Sequence, residues 1–126
     1  MTTREVYTFG GSLLITFFLT RFFLYLFPDV NLNIGKYNIH HLFVGVVLLI
    51  IVIVLLVVGI KTKSVFVIGG VGAALALDQI VFLITTDGGD ITYLGNLSFW
   101  GAIVSVAITL FVLGGLYYYE KNISRR

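Results

Sequence analysis

Four long apolar stretches, at about 8–27, 39–60, 65–85 and 97–119, constrain this 126-residue chain more than any other feature. A bilayer core ~30 Å thick is crossed by ~20 helical residues rising ~1.5 Å each, and all four stretches reach that length. The second is the plainest, since Leu42 to Ile60 holds no charge. A transmembrane strand needs only ~10 residues of alternating polarity. These runs are longer and do not alternate. Composition agrees: 59% of residues are hydrophobic and 11% charged, with a mean hydropathy of +1.06, whereas soluble domains carry ~25% charged residues. So short a chain cannot hide that much apolar surface from water, so lipid is the solvent. The expected fold is all-α: a four-transmembrane-helix bundle forming a single integral membrane domain over 1–126. The first stretch reads as a retained span. Arg21 interrupts it, and Phe27-Pro28-Asp29 stands where a cleavage site needs small residues.

Basic residues orient the bundle, because cytoplasmic loops carry the excess of Lys and Arg. Arg4, Lys61, Lys63, Lys121, Arg125 and Arg126 share one side; Lys36 stands alone on the other. Both termini are therefore expected in the cytoplasm of a multi-pass cell-membrane protein, with Asp29, Asp87 and Asp90 outside. Tyr117, Tyr118 and Tyr119 suit the inner aromatic belt and Trp100 the outer one. The net charge of +2 is small and scattered, which excludes nucleic acid as a partner. The absence of cysteine excludes disulfides, thiolate metal sites and cysteine nucleophiles.

The Lys61-Thr62-Lys63-Ser64 turn makes the second and third spans antiparallel neighbours. The first outer connection alternates Val30, Leu32 and Ile34 with Asn31 and Asn33, and Gly35-Lys36 suits a tight turn, so a short hairpin on the bundle is expected. The halves show no repeat of the transporter kind. Packing is expected to centre on the third span. Gly70, Ala74 and Asp78 form one small-residue stripe there, Gly72 and Ala76 another, and the fourth span adds Ser98, Ala102, Ser105 and Thr109. The third and fourth spans then form the tight interior, and much of the second, Val52 included, faces lipid.

Charges inside a span cost ~2.5–3.5 kcal/mol each at the centre and mark functional sites by default. Arg21 and Asp78 both fall roughly 10 Å below the outer surface, at ~1.5 Å per residue. His40 and His41 open the second span at the same side, and Ser98 opens the fourth. Arg21 and Asp78 form the natural ion pair, either as a structural lock or as part of a site. Asp78 is too short to reach the surface as an arginine can. Adjacent histidines point ~100° apart, so His40 and His41 do not both face one ion as an i, i+4 pair does. Three readings stay open for them: interfacial packing, a metal site with Asp78 for zinc, iron or manganese, and proton transfer near neutral pH. Gly45 leaves room beside His41, and Gln79 is placed to hydrogen-bond across helices. Asp87-Gly88-Gly89-Asp90 lacks the ligand count of a calcium loop. Asn96-Leu97-Ser98 is a formal sequon, but Ser98 opens a helix. No Walker loop, serine elbow or H-E-x-x-H is present.

With Ile39-His40-His41 opening the second span and Leu77-Asp78 ending a glycine-rich run in the third, the chain resembles a family of small uncharacterised prokaryotic four-span integral membrane proteins. That family's signature is Ile-His-His in the second span and Leu-Asp-Glu in the third. Gln79 stands here where the family has Glu, which weakens a metal reading. The resemblance carries no activity.

The sequence thus leads to an outward-facing intramembrane polar site built from Arg21, His40, His41, Asp78 and Gln79. Binding of an ion or lipid headgroup is the first reading, in a protein whose partners are the bilayer and, in a homo-oligomer or larger membrane complex, other chains. The alternative is a metal-assisted hydrolase acting on a lipid-borne substrate, with a divalent metal on His40, His41 and Asp78. No catalytic residue is assigned, since no nucleophile stands out.

Overall fold

The computed structural model describes residues 2–27, 33–34, 37–38, 40–85 and 95–123. They form four helices, α1 (Thr3–Leu26), α2 (His41–Val57), α3 (Lys63–Thr85) and α4 (Asn96–Ile123), and a hairpin of β1 (Asn33–Ile34) and β2 (Tyr37–Asn38). The fold is an all-helical four-helix bundle. α1, α3 and α4 are long and apolar enough to cross a membrane, whereas α2 is shorter. The hairpin register, Asn33 opposite Asn38 and Ile34 opposite Tyr37, is the one a two-residue connection at 35–36 gives. The Asp87–Asp90 turn and residues 28–29 lie outside the described residues.

α1 begins with a capping box. Thr2 Oγ1 accepts from the Glu5 backbone N–H, and the Glu5 carboxylate accepts from the Thr2 N–H at 2.6 Å. α2 ends earlier than the apolar run predicts. Gly59, at φ +86°, takes the left-handed conformation that lets Ile60 N–H reach Leu55 O and Gly59 N–H reach Leu56 O, a Schellman end. Hydropathy could not reveal this stop, since Val58 and Ile60 continue the apolar pattern. The resulting 17 residues span about 26 Å.

α3 packs against each of the other three helices, and α1 also touches α4. Glycines set the approach. A Cβ on Gly45 would lie 2.6 Å from Gly72 O and 2.7 Å from Ala76 N, so α2 and α3 meet backbone to backbone. A Cβ on Gly70 would meet Phe9 O of α1 at 2.5 Å, and one on Gly101 would meet Val81 Cγ1 at 2.3 Å. Lipid gives helices no hydrophobic reason to associate, so such close van der Waals contact has to supply the attraction.

Two expectations need correction. The interior is not a pairing of α3 with α4 alone: Leu13 and Phe17 of α1 join Ala73, Ala74, Ala102 and Val106 in the core. Nor does Val52 face lipid. It is 8% exposed, and its Cγ1 lies 3.5 Å from where a Cβ on Gly69 would stand. Val52 is seven residues, two turns, beyond Gly45, so both lie on the face turned to α3. On α4, Ser98 and Ala102 are buried as expected, while the Ser105 and Thr109 hydroxyls donate to their own helix at Gly101 O and Ser105 O.

Thr3 Oγ1 and Tyr117 Oη, 2.6 Å apart, join the start of α1 to the last third of α4. One end of the bundle therefore carries Arg4, Lys61, Lys63 and Lys121, and the other carries His40, His41 and Ser98. They are called below the lysine end and the histidine end.

Candidate functional site

Asp78 is the hub of the histidine end. It follows the Gly70–Ala74 stripe by one more turn of α3, which turns its side chain inward, and none of it is exposed. A buried carboxylate needs a counter-charge and hydrogen bonds. Leu13, Phe17 and Arg21 recur every four residues on the buried face of α1, and this brings Arg21 Nε to donate to Asp78 Oδ1. Arg21 Nη2 donates to Asp78 O at 3.2 Å and to Ser98 O and Oγ at 3.3 Å. The guanidinium also lies 5.9 Å from the Phe99 ring centroid, within cation–π range. Arg21 is 8% exposed, so its charge is spent inside the protein.

The second oxygen, Oδ2, lies 2.9 Å from His41 Nε2. An ionised carboxylate only accepts, so His41 carries a proton on Nε2 and donates. His41 keeps 22% of its side chain exposed, so it links the buried pair to the outside.

Gln79, also buried, solves a different problem. His40 is the N-cap of α2 but makes no side-chain cap bond, and the first N–H groups of a helix need acceptors. Gln79 Oε1 accepts from Leu42 N–H at 2.9 Å, capping α2 from α3. Its Nε2 is thereby turned to His40 Nδ1 at 3.5 Å. With Nδ1 as acceptor, a neutral His40 carries its proton on Nε2. The His40 ring also meets Phe82 edge-on, 6.4 Å between centroids. No buried side-chain nitrogen or oxygen among the described residues lacks a partner.

The structure thus brings together all five expected residues, Arg21, His40, His41, Asp78 and Gln79. Ser98 and Phe99 complete the network, and sequence reasoning did not assign them to it. Ser98 opening the fourth span at the right depth was the available signal. His40, His41 and Asp78 do not converge as a metal set. Both Asp78 oxygens are engaged and His40 is turned to Gln79. No group of three or more His, Cys, Asp or Glu among the described residues is arranged to hold a metal ion.

No family model, curated protein or solved structure matches this chain.

Proposed function

We propose that the protein crosses the cell membrane four times with its lysine end in the cytoplasm, and that its histidine end is an outward-facing site for an anionic group, a lipid headgroup phosphate above all. The observation that carries this reading is the division of roles at the site. Asp78 is fully buried and neutralised by Arg21, so no carboxylate of the network faces outward to hold a cation. The two imidazoles reach the surface instead, at the start of α2, where a helix carries partial positive charge and favours anions. Gln79 Nε2 lies 3.5 Å from His40 Nδ1, an arrangement that leaves the other ring nitrogen, Nε2, for a phosphate oxygen. The basic residues gathered at the lysine end support the orientation. For α2 to be the fourth span, its 17 helical residues must be extended by Val58 and Ile60 or matched by local thinning of the bilayer. The residues that meet at the site, His40, His41 and Asp78, are also those that carry the resemblance to the Ile-His-His family.

Trp100 offers a direct test. It is the chain's one tryptophan, and it follows Phe99 at the start of α4. In phosphatidylcholine nanodiscs, phosphatidylglycerol carrying a nitroxide near its headgroup should quench Trp100 more than phosphatidylcholine labelled in the same place. His40→Ala/His41→Ala should abolish the difference. Equal quenching by the two lipids in the native protein would refute the site. Stoichiometric zinc or manganese in the purified protein, lost with the histidines, would turn the reading to the hydrolase alternative.

A further inference from the structure

The lysine end carries two adjoining clefts that the reading above does not use. Arg4 lies along α1 about 26 Å from Arg21, so this is a separate place. The first cleft, of about 380 Å³, runs between the start of α1 and the α2–α3 turn, and Arg4, Lys61 and Lys63 line it with Thr2 and Thr8. Its volume falls within the ~300–1,000 Å³ of small-ligand clefts. Glu5 is the one acidic residue in its wall, and its carboxylate is turned back to the Thr2 N–H. Three cations therefore face one anion. The second cleft, of about 490 Å³, is apolar along Ile53, Leu56 and Val57 of α2 and Phe66 of α3. Glu5, Lys61 and Phe66 line both clefts, so a cationic hollow opens into an apolar groove.

We infer that these clefts hold one anionic phospholipid, its phosphate among Arg4, Lys61 and Lys63 and an acyl chain along Ile53, Leu56 and Val57. The charge fits a phosphate and not a zwitterion or a cation. The groove runs from the helix ends toward mid-membrane along side chains that face outward, with Val57 81% and Ile53 58% exposed, which is the direction an acyl chain takes below its headgroup. Orientation by basic loops requires only that the charges lie on one side. It does not require Arg4 of α1 to line the same cleft as Lys61 and Lys63, or that cleft to open onto a groove.

The test is native mass spectrometry of the whole protein in an uncharged detergent. Phosphatidylglycerol, phosphatidylcholine with the same chains, and glycerol phosphate are titrated in turn. One phosphatidylglycerol should be retained at concentrations where phosphatidylcholine is not. Lys61→Gln/Lys63→Gln should weaken it about 25-fold, about fivefold for each cation removed near a headgroup. Lys61→Arg/Lys63→Arg should retain it, as should Lys121→Gln, which removes a cation outside the clefts. Val57→Trp, at an exposed wall of the groove, should displace the lipid while leaving the cations in place. Equal retention of the two lipids, an unchanged affinity in Lys61→Gln/Lys63→Gln, or competition by glycerol phosphate as strong as that of the whole lipid would each overturn the inference. Trp100 quenching should survive the lysine changes, so failure here is distinct from failure of the histidine-end site.

Discussion

Asp78→Asn tests whether the polar network holds the bundle together. The substitution is nearly isosteric, so it removes charge without opening a cavity. It takes from the Arg21 guanidinium, 8% exposed, the carboxylate that neutralises it. Two charge-assisted bonds change character, those from Arg21 Nε and His41 Nε2. Such bonds contribute ~1.5–3 kcal/mol each, and an amide has one acceptor oxygen where the carboxylate has two. The expected cost is about 3–5 kcal/mol, the range for stranding one member of a buried pair. Arg21→Met with Asp78→Leu should recover most of that loss, because apolar residues of similar volume replace buried pairs well. Recovery should stop about 1–2 kcal/mol short. His41 Nε2–H loses its acceptor, and the buried Ser98 Oγ loses its donor. Reversible unfolding in mixed micelles gives all three values. A loss below about 1 kcal/mol in Asp78→Asn, or a double variant less stable than that single one, would refute the account of Asp78 as a neutralised hub.

Gly45→Ala should destabilise by about 1–3 kcal/mol, because its Cβ meets backbone atoms of Gly72 and Ala76 that cannot rotate away; Gly114→Ala, with nothing within 4 Å, should be neutral or stabilising in the same unfolding assay. Gln79→Ala should cost about 1 kcal/mol by uncapping the Leu42 N–H, and hydrogen exchange should rise at the first turn of α2 and not at its last. A cysteine at Gly88 should react with an impermeant thiol reagent on intact cells, and one at Thr62 only after lysis; the reverse pattern would invert the orientation.

The sequence made some of this legible for physical reasons. Arg21 and Asp78 are costly in lipid and lie at the same depth on different helices, so their pairing could be read from position alone. Val52 could not be placed, because α2 is apolar all round and lipid is as apolar as the core. With no polar face, its periodicity does not say which side meets α3; Gly45, two turns away, was the one usable marker. The same ambiguity hid the share of α1 in the core, since Leu13 and Phe17 look no different from lipid-facing Leu14 and Phe18. Ser98 was hard to assign because a helical hydroxyl commonly bonds its own backbone, as Ser105 and Thr109 do. The lysine-end clefts were invisible for another reason. Their basic residues were already accounted for by orientation, and nothing in the pattern placed Arg4 beside Lys61.

Two kinds of contact hold the four helices. Close approach supplies one of them, at Gly70, at the Gly45–Gly72 crossing and at Gly101 against Val81. Toward the histidine end, two consecutive residues of α3 gather the other helices by hydrogen bonds. Asp78 holds α1 through Arg21 and, through that guanidinium, Ser98 of α4; its other oxygen holds His41 of α2. Gln79 holds α2 a second time by capping it. Arg21, Asp78 and Ser98 are all buried, and Arg21 already balances the charge of Asp78. His41 adds a partner that the neutralised pair does not need for charge balance, and it extends the network from a fully buried carboxylate to a partly exposed ring. That extra step, from a closed pair to a histidine facing outward, is why the histidine end is read as a site and not only as a fastening.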